Sequence, residues 1–346
     1  MNYKHFALSF IVLLVFFTGG NYFVWKCWTE DLLSDRQYQG GDLARMGYID
    51  TSKHNRKSID DLPRRHVEFA NYAGGKVDIV TIGDSFSNGG AGGKNRYYQD
   101  YIATLHGMEV LNIPPYKDLD PVRTVSIMLN SGVLDSMHPG YVMVSMHEWG
   151  YMPALASPVD FSTSLDRDSI KRLRPMEYNA PHPVVNFINN GNVKFLLNKL
   201  LYKFADHTFV SRVYKRKLSQ PLFSTPDDSS LLFLRPKITS DDKALLALNS
   251  NLNILADRLA EKGIKLVFMP CVDKLTLYSD FLVSNPYPVS TFFEGLAKLP
   301  KRYRFIDTRA ILLQELRKGE KDVFYADDTH WSWKASETIF HTQRFN

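Results

Sequence analysis

Cysteine is nearly absent from this 346-residue chain. The only two, Cys27 and Cys271, are too few for a disulfide framework and too distant for a C-x-x-C metal or redox motif. A structural zinc site is therefore not expected, and no metal ligand or cofactor is assigned. Long basic runs are missing too: 42 lysines and arginines are dispersed among 37 acidic residues, for a net charge of +5. That pattern lacks the patch a nucleic-acid partner requires, so none is expected. The phosphate-loop spacing is also missing. Gly89-Gly90-x-Gly92-Gly93-Lys94 resembles it only superficially, and Asn95 stands where a hydroxyl residue belongs. Charge disappears altogether from Phe6 to Trp25, a stretch about as long as a bilayer-spanning helix and apolar on every face. No small-x-small cleavage site follows it, and Val24-Trp25-Lys26 before Cys27 is not a lipobox. Residues 1–27 thus read as an uncleaved signal anchor, with a cleaved signal peptide as the alternative. On either reading Lys4 and His5 are expected to stay inside and everything after residue 30 to work outside the cytoplasm, where ATP, NAD and acetyl-CoA are not freely available.

What is present is ample apolar material: 44% hydrophobic and 13% aromatic residues, enough for one large domain or two modest ones. Residues 28–72 are polar and broken by Gly40-Gly41, Gly47 and Pro63, and read as a tether. From residue 73 to 346 strands and helices alternate. Val77 to Ile82 reads as a buried strand stopping at Gly83, followed by a helix over Tyr97 to Leu105. Met108 to Ile113 is the next strand. Asp120-Pro121 caps a helix reaching about Leu134, and Tyr141 to Met146 is a further strand. Leu245, Leu248, Leu252, Leu255 and Leu259 line one helix face, with Ser240 as its cap and Gly263 as its stop. Ile264 to Met269 follows as a strand closed by Pro270. Arg304 to Ile306 is the last strand, and Ala310 to Leu316 and Ser332 to Phe340 are closing helices. This alternation predicts an α/β fold, a parallel sheet sandwiched by helices, with catalytic loops at the carboxyl ends of the strands. Residues 150–238 interrupt it and read as an insertion or cap over the site, with one amphipathic stretch at Val193 to Phe204.

Two constellations carry chemistry. Gly83-Asp84-Ser85 lies where a strand meets a turn, so backbone amides there favour negative charge on a substrate oxygen. Gly83 suits a turn that needs freedom at φ, and a helix cap is the structural alternative. Near the other end, Phe324-Tyr325-Ala326-Asp327-Asp328-Thr329-His330-Trp331 offers a base for a serine hydroxyl. Asp328, two residues before His330, and Asp327, three before it, are both able to orient the imidazole. Asp328 is the choice carried forward. His147-Glu148, at a strand end, reads as a hydrogen-bonded loop pair sooner than as substrate contacts. Trp149, Tyr151 and Trp331 suit either sugar stacking or the core.

A strand followed by Gly83-Asp84-Ser85, with Asp and His near the C-terminus, resembles the SGNH (GDSL-like) hydrolase family. Tyr325 through Trp331, ending in Asp-Thr-His-Trp, is similar to the signature of its periplasmic alginate O-acetyltransferase branch. So is Gly263 to Pro270 followed by Asp273-Lys274 and Tyr278. The resemblance implies a flavodoxin-like three-layer fold, with Ser85 as nucleophile, His330 as general base and Asp328 as its orienter. It implies an O-acyltransferase, of the O-acetyl-transferring kind, acting on an envelope or secreted polysaccharide, held in a bacterial inner membrane by a single span with its catalytic domain in the periplasm. It further implies a membrane-bound O-acyltransferase partner that passes acetyl across the bilayer. An esterase or deacetylase using the same residues, and a non-catalytic polysaccharide-binding scaffold, are the other readings. Two departures stand out. In the alginate proteins Asp-Thr-His precedes the serine, whereas here it follows. The family's oxyanion positions read Asn112-Ile113-Pro114-Pro115 and His147-Glu148-Trp149-Gly150, without a Gly-x-Asn-Asp block, which leaves the Ser85 amide and one neighbour.

Overall fold

Short β-rich runs between amphipathic helices set the framework. The computed structural model of the protein describes residues 3–33, 41–49, 61–116, 119–148, 152–166, 169, 186–235 and 241–345, and the chain divides into two units. The larger comprises Arg56–Asn179, Pro236–Phe324 and His330–Asn346. Its centre is a six-stranded parallel sheet of β1 (Val67–Glu68), β2 (Ile79–Gly83), β3 (Val110–Ile113), β4 (Tyr141–His147), β5 (Lys265–Cys271) and β6 (Arg304–Phe305). The spatial order is β1-β3-β2-β4-β5-β6. Ile79 pairs with Val110 on one side and Tyr141 on the other, and Tyr141 with Lys265. All of β2 and all of β4 but His147 are buried, as parallel strands covered on both faces must be. From β2 the chain goes to β3 on one side, and from β3 it returns past β2 to β4. The carboxyl ends of β2 and β4 therefore flank the point where the winding reverses, the place where open α/β sheets bind ligands.

The helices of this unit follow their sequence signals closely. Asp120 accepts the Arg123 N–H at 3.0 Å ahead of Pro121–Asn130. That helix stops short of Leu134 because Gly132 turns left-handed, at φ 70°, before the separate turn Val133–Met137. Asp241 caps Asp242–Ala260 by accepting the Lys243 N–H at 2.9 Å, while Ser240, the expected cap, lies outside the described residues. Pro270 does not close β5, which runs on to Cys271. The neighbouring β6 has already ended at Phe305, and the Pro270 carbonyl instead accepts the Thr308 hydroxyl at 2.6 Å. The missing proline N–H therefore costs no ladder bond.

The smaller unit comprises Met1–Asn55, Ala180–Arg235 and Tyr325–Thr329. Its first helix, Tyr3–Val24, continues through a π-helical turn at Trp25–Thr29 into Glu30–Leu33. It is the one helix among the described residues long and apolar enough to cross a membrane. Residues 42–47 form a short helix within the stretch expected as a tether, too brief for sequence periodicity to reveal. The helix Asn190–Leu201 overlaps the expected amphipathic stretch at Val193 to Phe204, starting and ending three residues earlier. Val213–Lys217 and Ser230–Leu234 form an antiparallel hairpin that the sequence reading does not anticipate. Val213 is the only buried residue of its first strand, so the charged remainder carries no apolar alternation. Two clusters hold the unit: Val24, Leu32, Ala44 and Phe195 in one, and Leu43, Val213 and Leu232 in the other.

Candidate active site

Ser85 stands two residues beyond β2, in a turn built by backbone bonds. The Ser87 N–H donates to the Asp84 carbonyl at 3.0 Å and the Gly90 N–H to the Ser85 carbonyl at 2.8 Å. The Ser85 N–H takes no part in these bonds. Asp84 fixes the turn to the neighbouring strand. Its buried carboxylate accepts the Phe86 N–H at 3.0 Å and the N–H of His147, at the end of β4, at 2.6 Å. Burial pushes the Asp84 carboxyl above the usual carboxylate range, against the pull of His147, the two N–H donors and His330. Gly83 is required for closeness rather than for φ, since it is not among the left-handed glycines. A Cβ there would lie 2.3 Å from the Ser145 carbonyl oxygen and 2.2 Å from Ser87 Oγ. Behind the turn, Gln99 donates to the Ser87 carbonyl at 2.8 Å and to Asn112 Oδ1 at 2.9 Å. Asn112 Nδ2 donates in turn to Glu68 Oε2 at 3.1 Å. Asn112 is thus committed to supporting the turn and is fully buried.

His330 reaches this turn from a loop with a fixed base. Phe324 and Trp331 form an antiparallel bridge, and the Ser332 N–H donates to the Val323 carbonyl at 2.9 Å. The Tyr278 hydroxyl accepts the Phe324 N–H at 3.2 Å. Ser332 then caps the helix Trp333–Thr342. The result places His330 Nε2 2.8 Å from Ser85 Oγ, across 245 positions of sequence. With the ring proton on Nδ1, Nε2 accepts the serine proton, the arrangement a nucleophilic hydroxyl needs. The imidazole is nearly buried whereas Ser85 is part-exposed. Phe86 packs on three rings here: His330 at 4.7 Å, Trp331 at 4.8 Å and His147 at 5.5 Å between centroids. Trp331 is therefore core, while Trp149 and Tyr151 lie outside the described residues. Gly90 also shapes the site. A Cβ at that position would sit 2.5 Å from His330 Nε2, so the glycine-rich run that superficially resembles a phosphate loop makes room for the imidazole.

The two acidic residues ahead of His330 are counted in the smaller unit, and within it they hold the start of the short helix at Asp42–Gly47. Asp327 Oδ2 accepts the Gly41 N–H at 2.7 Å, and Asp328 Oδ2 accepts the Asp42 N–H at 3.2 Å. Asp42 in turn accepts the Thr329 N–H at 2.7 Å and the Thr329 hydroxyl. Asp42 has no motif around it, and nothing in the sequence singles it out.

A second set of titratable groups lies at the ends of β4 and β5. Glu148 is completely buried, accepting the Asp273 N–H at 2.8 Å and the Thr276 hydroxyl at 3.3 Å. Burial, reinforced by the Asp273 carboxylate, raises Glu148 to about 7. His147 Nε2 lies 3.5 Å from Asp273 Oδ2. Asp273 also caps Lys274–Tyr278 through the Leu275 N–H, at 2.8 Å. The pair expected to bond with its neighbours thus does so, through Asp273 and Thr276 in the turn and helix that follow β5.

Residues 232–339 match the family model of the SGNH hydrolase-like domain of the acetyltransferase AlgX. The matched stretch runs from the end of the hairpin through β5, β6 and His330 into the last helix, and leaves Ser85 outside. This AlgX-like stretch, together with the parallel sheet and its helices, makes the larger unit an SGNH-like α/β domain, and the expected acyltransferase or hydrolase kind of enzyme accords with it. No curated protein matches the chain.

Proposed function

We propose that the protein is an extracytoplasmic O-acyltransferase that moves an acyl group, acetyl in the simplest case, to a hydroxyl of an envelope or secreted polysaccharide through an acyl-Ser85 intermediate. The observation that carries this reading is the 2.8 Å approach of His330 Nε2 to Ser85 Oγ. In the first half-reaction Ser85 Oγ attacks the acyl carbonyl and its proton passes to His330 Nε2. The donor's leaving oxygen takes that proton as the tetrahedral intermediate collapses. In the second, His330 removes the proton from the sugar hydroxyl as its oxygen attacks the acyl-serine, and returns it to Ser85. Asp328 is assigned the role of orienting the imidazole and stabilising its charged form. The Ser85 N–H, unused in the turn, is assigned to the developing oxyanion.

Outside the cytoplasm such an enzyme has no acetyl-CoA, so the reading includes a membrane-bound O-acyltransferase partner as donor. The Tyr3–Val24 helix keeps the enzyme at the inner membrane beside it. Water in place of the sugar turns the same intermediate into a hydrolase, and the part-exposed Ser85 gives that second reading its footing. Incubating the full-length protein with a nitrophenyl acetyl ester and an oligosaccharide separates the outcomes. Acetylated sugar supports transfer, and free acetate with unmodified sugar supports hydrolysis. Ser85→Ala is expected to remove on the order of 10³-fold or more of either activity. No turnover by the wild type, or none that depends on Ser85, would leave a non-catalytic scaffold as the surviving account.

A further inference from the structure

The helix Asn190–Leu201 turns a row of large apolar side chains outward. Val193 is 58% exposed, Leu196 49%, Leu200 52% and Phe204, just past the helix end, 82%. Separated by three and four residues, Val193, Leu196 and Leu200 fall on one helix face, and Phe204 follows in the turn after it. Phe195 and Asn198 occupy the opposite face and are buried, Phe195 in the cluster with Val24, Leu32 and Ala44. Packing within the unit is thus already satisfied by the inner face, and the outer row is left for something else. An apolar row of this size exposed to water marks a binding surface.

The surroundings of the row identify its occupant. Asn192, in the first turn of this helix, donates through Nδ2 to Asn21 Oδ1 at 3.1 Å, and its Oδ1 accepts the Thr29 hydroxyl. The ring of Phe187 meets that of Tyr22 edge-on at 5.9 Å. The helix therefore starts at the level where the long apolar helix Tyr3–Val24 ends. By helical spacing, Lys199 and Lys203 border the apolar row on one side and Lys194 on the other. Lys199 stands over the rings of Trp28 and Phe195, at 5.0 and 5.7 Å, and Lys194 over that of Tyr48 at 5.3 Å. Apolar side chains between lysines, beginning where a membrane span emerges, are what a helix lying in the bilayer interface requires.

We infer that Asn190–Leu201 and the following turn lie in the plane of the membrane surface. Val193, Leu196, Leu200 and Phe204 enter the acyl-chain boundary, and Lys194, Lys199 and Lys203 reach acidic lipid headgroups. The inference rests on the reading of Tyr3–Val24 as a membrane span. It gives the smaller unit a second hold on the bilayer and so a fixed face toward it.

Spin labels test it in the full-length protein reconstituted in lipid nanodiscs, with Cys27→Ser to leave the buried Cys271 as the only native thiol. Single labels go on Leu200→Cys, Phe204→Cys and Phe10→Cys, and paramagnetic accessibility to oxygen and to a neutral nickel chelate is compared. Labels at 200 and 204 are expected to favour oxygen, at a depth of about 5–10 Å. Labels at both positions that favour the nickel chelate overturn the inference. The label at 10 shows independently whether the span reading has failed as well. Replacing phosphatidylcholine by phosphatidylglycerol-containing discs is expected to deepen the 200 label. That gain is expected to disappear when Lys194, Lys199 and Lys203 are all changed to Gln. A gain that survives those substitutions overturns the headgroup contacts.

Discussion

Gly90→Ala probes whether His330 acts on Ser85 from where it stands. An alanine Cβ at position 90 would lie 2.5 Å from His330 Nε2, and 2.9 Å from both its Cε1 and the Ser85 carbonyl oxygen. Ordinary van der Waals contact begins at 3.4 Å, so ring and turn must part by about 0.9 Å. A misplacement of about 1 Å in a catalytic group costs on the order of 10²-fold in rate, which is about 2.7 kcal/mol in barrier. The backbone conformation at residue 90 does not itself demand glycine. Gly90 is exposed, and it is Gly89, not Gly90, that takes the left-handed conformation, at φ 66°. Steady-state hydrolysis of nitrophenyl acetate should therefore lose roughly 100-fold in kcat/KM. The melting temperature, followed by intrinsic fluorescence, should fall by a few degrees, the effect of the about 1–3 kcal/mol that an overpacked contact costs. A well-folded Gly90→Ala protein within about threefold of wild-type activity, a cost below about 0.7 kcal/mol, would refute the reasoning, because the imidazole could not then be held where the serine needs it.

Three further substitutions test the supports of the site and of the sheet. Asp84→Asn keeps one acceptor oxygen where two N–H groups, of Phe86 and His147, now bond. A buried N–H left facing an amide should cost about 1–3 kcal/mol in urea unfolding and lower kcat with it, and an unchanged midpoint would argue against the clamp. Burial and the Asp273 carboxylate raise Glu148 to about 7, so the folded protein keeps a proton that the unfolded chain releases near 4.5. Stability from this group therefore falls as pH rises from about 4.5 through about 7. Glu148→Gln should unfold later than wild type above that window, by up to about 3 kcal/mol, and a constant difference across the window would contradict the assignment. Burial lowers His66, but bonds to Asp100 and Glu68, at 2.7 and 3.0 Å, outweigh it and raise the group to about 9. That stabilisation is complete below pH 6.5 and lost as pH climbs through about 9. His66→Gln should accordingly cost up to about 3 kcal/mol on the acid side of the window and little above it. A loss that is the same at both ends would show the histidine to be acting through packing alone.

The parts of this structure legible from sequence are those whose cause is local. Asp120 with Pro121, the leucine row from Leu245 to Leu259, and the run into Gly83 each state their element within a few residues. Where the cause is distant, the reading stops. Gly83 is expected to supply backbone freedom, yet its constraint is the Ser145 carbonyl on the neighbouring strand. Gly90 sits among other glycines, and only a ring brought from position 330 shows why a side chain is excluded. Asp42 meets Thr329 across 287 positions, with no spacing rule to connect them. The hairpin at residues 213–217 and 230–234 buries so little of its first strand that no alternation is written there. Pro270 illustrates the opposite error, since a locally sound strand-stop signal fails when the adjacent strand is too short to ask for the missing N–H.

The separation of the serine from the AlgX-like stretch follows from the same geometry. In a parallel sheet every strand delivers its carboxyl end to one edge, so the order in which catalytic groups occur along the chain does not dictate whether they meet. Here β2 brings Ser85 to that edge before β5 and the bridge at Phe324 and Trp331 bring His330. A chain that places Asp-Thr-His ahead of its serine can meet the same requirement by using different strands. What must be retained is the pair of anchors that aim each loop: Asp84 binding the turn of Ser85 to the end of β4, and Tyr278 with the Phe324–Trp331 bridge holding the loop of His330. Weakening the second anchor should then act on rate more than on folding. Tyr278→Phe removes the hydroxyl that accepts the Phe324 N–H while keeping the buried ring, at a stability cost of about 1–3 kcal/mol. If its kcat with nitrophenyl acetate falls in proportion no greater than that of an equally destabilised variant remote from the edge, the bridge is a folding device and the aiming of His330 must come from elsewhere.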